Sequence, residues 1–275
     1  MQWLTLHNKN LTSKPSALII REIDLRGFDM RNSDCFCGSG IHHKKCHSEI
    51  KENSAISGLF EAFRIIDEDI ANAAPAPACE RGCAKCCGDI FEVSFVEYLA
   101  ILSFIQKKYS GLSTYRLRSL QKAAASQLPL FSALKEHLKE QHGDTSDCSI
   151  SGLRLTSPCI FLDNRGDKCK IYEVRPMLCR LYGYYSPYGN CISAKNQLKI
   201  VPGYVEGIAS KMLGGTIIEN NIHPPLSQPL VYWFGQSPFR ESEEFRKLFI
   251  AAHDDCIDNY MQMVVHEDFP SWFAF

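Results

Sequence analysis

The chain has no apolar run approaching the ~20 residues that a membrane-spanning helix needs, so no membrane span is expected. It has almost no net charge: 30 Lys and Arg against 31 Asp and Glu leave a formal −1. No global field therefore draws it to nucleic acid or to an anionic membrane surface. No glycine-rich phosphate loop follows a strand, and no GxSxG elbow occurs, which removes the commonest nucleotide and serine-hydrolase signatures. Internal repeats and low-complexity tracts are absent, which excludes a solenoid. Met1–Asn10 is mixed and polar rather than a charged start before an apolar stretch, so no secretory signal is read there.

What the chain has in excess is cysteine, 13 in 275 residues. The count is odd and no export signal precedes it. A reducing, cytoplasmic setting follows, in which clustered cysteines are more often metal ligands than disulfides. Apolar and charged fractions are ordinary for a globular chain. The length suits one large domain or two modest ones.

The first cluster is Cys35-Phe36-Cys37-Gly38-Ser39-Gly40, followed after Ile41, His42, His43, Lys44 and Lys45 by Cys46-His47. Four soft or borderline ligands in so short a loop fit one tetrahedral zinc. Gly38 and Gly40 allow the positive φ angles of a tight wrap. Lys44 and Lys45 would offset thiolate charge. His42 and His43 compete with His47 for the fourth position. The stretch resembles the SEC-C zinc motif, CxCx8C(C/H), with Asp34 where that family usually has proline. The resemblance implies zinc on Cys35, Cys37, Cys46 and His47, and docking to a protein partner.

The second cluster begins Cys79-Glu80-Arg81-Gly82-Cys83-Ala84-Lys85-Cys86-Cys87. Three further cysteines follow, Cys159, Cys169 and Cys179. This pool exceeds four, so one ion or one iron–sulfur cluster leaves spare thiols, or there are two metals. Cys86 and Cys87 are adjacent and their side chains diverge, so one ligates while the other packs or serves a second metal. Arg81, Lys85, Arg175 and Arg180 lie beside the cysteines and could offset thiolate charge. Guanidinium N–H groups of Arg175 and Arg180 could also bond the sulfurs of a cofactor.

The order Cys79-x3-Cys83-x2-Cys86-Cys87, Ser94-x2-Glu97, Pro158-Cys159, Cys169-x-Ile-Tyr172-x2-Arg175-Pro176-x2-Cys179-Arg180 resembles the YkgJ-type CxxCxxCC family of zinc- or iron-chelating domains. The resemblance implies a metal centre, zinc or an iron–sulfur cluster, and supplies no reaction. One branch resembles the flagellin lysine N-methylase, which implies S-adenosylmethionine as a partner and methyl transfer as an alternative function. A non-enzymatic zinc adapter is the other alternative. The spacing from Cys79 to Cys86 also matches radical-SAM enzymes, but the six or so βα units of that class do not follow.

The fold expected is mainly α with a small β-hairpin. An N-terminal segment, 1–31, precedes the knuckle at 32–50. A helix over 53–72, with Ile56, Leu59, Phe60, Phe63, Ile66 and Ile70 at helical spacing, runs into an Ala/Pro linker that ends at 78. Asp67, Glu68 and Asp69 read as a solvated acidic face. The cysteine-cluster domain spans 79–200. Within it Ser94 and Glu97 form a capping box, a helix covers 114–127, Pro129 interrupts, and another helix runs to Gly143. A hairpin is expected over 159–172, bringing Cys159 opposite Cys169, and then a short helix with Pro176 in its first turn. The region 201–275 is helical and packs on the core, with helices near 203–213 and from Ser237-Pro238 to Val265. Phe245, Leu248, Phe249, Ala252, Cys256 and Tyr260 line one face of the latter.

Overall fold

The computed structural model describes residues 34–37, 39–72, 82–109, 112–142, 158–163, 168–182, 184–186, 198–199, 217–218, 221–222, 227–235 and 243–254. Cys79, Arg81, Cys148, Cys191 and Cys256 lie outside them, as do the apolar patch at 17–20, the linker at 73–78, the helix expected at 203–213 and the aromatic C-terminus. The described part is mostly helical, with small two-stranded sheets, as the hydrophobic spacing indicates. Among the described residues no helix is long and apolar enough to cross a membrane.

A one-turn helix, α1 (His43–Cys46), belongs to the N-terminal knuckle. It leads to α2 (Ala55–Ala71), which starts where Ser54 Oγ accepts the Ser57 N–H at 3.2 Å. Its buried face is Ile56, Leu59, Phe60, Phe63 and Ile66, the stripe expected from spacing, with Ile70 partly buried.

Strand β1 (Glu92–Ser94) runs directly into α3 (Phe95–Lys108). The capping box is complete: Ser94 Oγ accepts the Glu97 N–H and Glu97 Oε2 accepts the Ser94 N–H at 2.7 Å. From Phe95 to Leu102 every residue of α3 is buried, so this helix is the centre of the molecule. Burial all round the first two turns means neighbours on every side rather than one apolar stripe.

Two helices expected on either side of Pro129 form a single one, α4 (Ser113–His142). A mid-helix proline loses one backbone bond and crowds the carbonyl four residues back, about 3 kcal/mol against the helix. Packing offsets this loss. Helix α6 (Leu230–Gly235) lies along the turn at Pro129. A Cβ on Gly235 would stand 2.8 Å from Leu128 Cδ1 and 3.4 Å from the Ala125 nitrogen, so glycine permits the approach. Phe131 meets Tyr232 edge-on at 6.1 Å.

The hairpin expected at 159–172 reduces to one antiparallel bridge, Leu162 with Cys169. Asp163 N–H donates to the Lys168 carbonyl and Lys170 N–H to the Phe161 carbonyl, both at 2.9 Å. It stays short because both arms turn away. Leu162 N–H bonds back to the Cys159 carbonyl, and a 3-10 turn at Tyr172–Val174 follows at once. Helix α5 (Met177–Leu181) comes next, with Pro176 at the N-cap rather than within the first turn.

Strand pairing closes the molecule over long sequence distances. β1 pairs antiparallel with β6 (Ser227–Pro229), with Val93 opposite Gln228. Trp233, on α6, is fully buried; its Nε1–H donates to the Val93 carbonyl at 2.7 Å and its ring stacks on Tyr98 at 5.2 Å. β2 (Tyr185–Ser186) and β3 (Leu198–Lys199) pair in parallel; β4 (Ile217–Ile218) and β5 (Asn221–Ile222) are antiparallel. The last described helix, α7 (Glu243–Asp254), buries Leu248, Ala251 and Ala252. Phe249, expected on that buried face, is 37% exposed and stacks on His253.

Candidate metal centres

The knuckle is built from turns. Asp34 and His42 form an antiparallel bridge, and the Cys35 N–H donates to the Ile41 carbonyl at 2.9 Å. Gly40, at φ +68°, supplies the left-handed residue that the reversal requires. The carbonyls of His42 and His43 then accept the N–H groups of Cys46 and His47, which folds α1 back over the two leading cysteines.

The thiols of Cys35, Cys37 and Cys46 and a ring nitrogen of His47 all fall within 4.8 Å of one another. Cys37 Sγ is 3.6 Å from Cys46 Sγ, and Cys35 Sγ is 3.3 Å from His47 Nδ1. Zinc–thiolate bonds of ~2.3 Å set tetrahedral ligands about 3.8 Å apart, so the donor set fits zinc in type and spacing. His43 Nδ1 stands 3.9 Å from the Cys35 thiol but is not in that set; His42 is exposed. The His47 ring is held by Phe36 at 5.5 Å and by Phe60 of α2 at 4.9 Å.

Burial, then the charges of Lys107 and His43, pull the His47 pKa down and favour the neutral ligating form. Burial pushes the Cys35 thiol up to about 12, with the charges of Cys37 and Cys46 adding to it. Burial acts the same way on Cys37, but hydrogen bonds from Ser39, Cys35 and Cys46 outweigh it and its pKa falls. Lys44 and Lys45 are exposed.

The second cluster is assembled from three separate segments. Gly82, at φ +105°, precedes turns over 83–89 in which the Cys87 N–H bonds to the Ala84 carbonyl and the Asp89 N–H to the Cys86 carbonyl. The Cys87 carbonyl accepts the Cys159 N–H at 2.7 Å, which fastens the first segment to the second. The Leu162–Cys169 bridge brings in Cys169, and α5 brings in Cys179.

The charges report the convergence. Cys86 and Cys169 each act on Cys159; Cys86 acts on Cys169; Cys159, Cys86 and Cys169 all act on Cys179. Burial comes first in raising Cys159 to about 12, and it also raises Cys169 and Cys179. For Cys86 the hydrogen bond from Cys87 comes first, then burial, and both raise it. The four thiols are less tightly gathered than the knuckle donors: among the described residues, the group whose ligating atoms all lie within 4.8 Å of one another is Cys35, Cys37, Cys46 and His47. Cys83 is exposed, and Cys87 is half-buried beside Cys86.

The two arginines differ. Arg180 is 3% exposed and fully engaged. It donates from Nε to the Arg175 carbonyl, from one terminal nitrogen to Asp67 at 2.5 Å and from the other to the Glu173 carbonyl. Its guanidinium lies 4.0 Å from the Phe63 ring centre. Asp67, read as part of a solvated acidic face, is half-exposed but carries this bond. Arg175 instead stacks 4.1 Å over Tyr172, and its charge lowers the Cys169 pKa against burial. Its Nε is buried and has no hydrogen-bond partner among the described residues.

Two positioning residues escape a reading of spacing. Glu97 Oε1 accepts the Met177 N–H at 2.6 Å, so the capping carboxylate of α3 also holds the first turn of the Cys179 helix. Lys107, at the other end of α3, donates to the carbonyl of Cys46 at 2.5 Å. A lysine in the last turn of a helix ordinarily reads as solvated, and only a long-range contact shows otherwise.

Residues 78–201 match the model of the CxxCxxCC family, described as "Putative zinc- or iron-chelating domain", and residues 31–49 match the SEC-C motif. The uncharacterized protein MJ0661 of Methanocaldococcus jannaschii is 39% identical over 57 residues, which cover 21% of this chain and 29% of that protein. No solved structure matches the chain. Metal chelation is the property named for the model that residues 78–201 match, and the donor atoms of Cys35, Cys37, Cys46 and His47 lie in the stretch that is similar to the SEC-C motif.

Proposed function

We propose that this protein is a two-centre metalloprotein. Zinc is held by Cys35, Cys37, Cys46 and His47. A zinc or iron centre, the latter as an iron–sulfur cluster, is held by Cys86, Cys159, Cys169 and Cys179. The observation that carries this reading is the knuckle donor set, whose four ligating atoms lie within 4.8 Å of one another. The core centre is supported by the CxxCxxCC match and by the contacts that bring its segments together, Cys159 N–H to the Cys87 carbonyl and the Leu162–Cys169 bridge. There burial and mutual repulsion favour protonated thiols. A cation would replace those protons and relieve the repulsion. Cys87 then supports Cys86 rather than ligating, and exposed Cys83 stays outside the ligand set.

Iron–sulfur would supply one-electron chemistry, whereas zinc would supply shape alone. The chain's own contribution is the same for both. Arg175 offers a buried positive charge and a spare donor beside Cys169. Arg180 holds the backbone around Cys179 by tying Glu173 and Arg175 to Asp67. At the surface, exposed Ile41, Lys44 and Lys45 give the knuckle an apolar and basic face for a protein partner.

Metal analysis and a visible spectrum of anaerobically purified full-length protein test the proposal. Iron with broad visible absorbance, or about two zincs in a colourless sample, supports it. Protein that holds no metal after anaerobic purification and reconstitution overturns it.

A further inference from the structure

The knuckle and the core centre share their supports. Helix α3 joins them as a rod: Glu97 near its start holds Met177 of the Cys179 helix, and Lys107 near its end holds the Cys46 carbonyl. Ten residues of α-helix separate these anchors by about 15 Å. A second line runs through α2. The His47 ring packs on Phe60 at 4.9 Å, Phe60 meets Phe63 edge-on at 6.0 Å, and Phe63 lies beneath the Arg180 guanidinium. Arg180, the neighbour of Cys179, is then tied back to α2 by Asp67. A cavity of about 270 Å³ is lined by members of both lines, Phe60, Phe63, Lys107 and Arg180, and by Cys37 and His47 of the knuckle. The contacts between knuckle and core are therefore discrete struts beside a space rather than one continuous packed face.

We propose that the two metal centres are energetically coupled, so that filling the knuckle raises the affinity of the core centre for its metal. This rests on the two-centre reading above. The physical element is the knuckle itself. With a metal it holds the Cys46 carbonyl and the His47 ring in place, and so loads the ends of both struts. Without one, the ordering of that loop must be met by the core alone. Linkage makes the effect reciprocal: the core metal tightens the knuckle by the same factor.

The test uses full-length protein titrated anaerobically with zinc against a chromophoric chelator. Core affinity is compared in the wild type, Cys37→Ser and Lys107→Gln. Lys107→Gln leaves every ligand intact, and helix content by circular dichroism checks that each variant folds. Coupling predicts core affinity at least about fivefold lower in both variants. It also predicts that the double variant Cys37→Ser/Lys107→Gln is no weaker than Cys37→Ser alone, because an unfilled knuckle already unloads both lines, that of Lys107 included. Knuckle affinity in Cys159→Ser should fall by the factor seen for the core in Cys37→Ser. Equal core affinity in the wild type and both single variants overturns the coupling and leaves two independent centres standing. A core that binds zinc in no form, the wild type included, removes the basis of the proposal altogether.

Discussion

Glu97 and Met177 are 80 residues apart in sequence and are joined by a 2.6 Å hydrogen bond in the buried core. One carboxylate therefore serves two helix starts, since its other oxygen takes the Ser94 N–H and hydroxyl.

Replacing Glu97 by Ala removes the partner of all three donors. Two buried N–H groups are then left unpaired, and the loss should exceed about 2 kcal/mol in urea unfolding. Glu97→Gln keeps the shape but presents an amide to one of the donors, and should cost less. Burial raises the Glu97 pKa above its usual range, against the lowering by Met177 and Ser94. A raised folded pKa means that the stability linked to this proton is fully present below the unfolded value near 4.5 and is lost as pH climbs through the folded one. The difference in stability between the wild type and Glu97→Gln should therefore change across that window and level off above it.

Arg180→Lys keeps a charge but cannot repeat the fork that reaches Asp67 and two carbonyls at once. It should cost about 2 kcal/mol, seen as a lower urea midpoint. Asp67→Asn should cost less, because Asp67 is half-exposed.

Cys86→Ser, Cys159→Ser and Cys179→Ser should each strip metal from the core centre, whereas Cys87→Ser should retain most of it. Cys148→Ala and Cys256→Ala should leave the metal content unchanged. Metal per chain in each variant decides the ligand set.

Zinc entry to the knuckle must displace the proton of Cys35, whose thiol is pushed up to about 12. Binding should therefore release protons and tighten as pH rises. Calorimetry in two buffers of different ionisation enthalpy measures the release directly. A chelator should lower the melting temperature of the whole protein.

Gly235→Ala places a Cβ 2.8 Å from Leu128 Cδ1, at the end of a side chain that can shift. A loss of about 1–3 kcal/mol is expected from overpacking, with secondary structure unchanged. Urea unfolding with circular dichroism measures both.

Local physics made part of this protein readable. The capping box needs only residues 94 and 97, and the α2 stripe repeats within one helix, so spacing alone reveals them. The knuckle ligands lie within 13 residues, and the identity of its histidine needed only the direction of one turn. Pro129 was misleading because intrinsic propensity counts a proline as a break, while the partner that keeps α4 whole comes from residues 230–235. Adjacent Cys86 and Cys87 are equivalent as letters. Spacing carries nothing that could separate them, because the partners that would, such as the Cys159 N–H on the Cys87 carbonyl, come from distant segments. Arg175 and Arg180 flank the same motif, yet one is consumed by three protein partners and the other keeps a donor free.

The bond from Trp233 to the Val93 carbonyl spans 140 residues. A ribosome adding about 5–20 residues per second needs on the order of 10 s to cover that interval. During that time β1 has no strand partner and Tyr98 has no indole to stack on. The cysteines up to Cys179 emerge before the segment that completes the packing of α3 has been made. A chain that stops before residues 227–235 would leave β1 unpaired and the Tyr98 face of α3 bare, so the last part made is the one that completes the core.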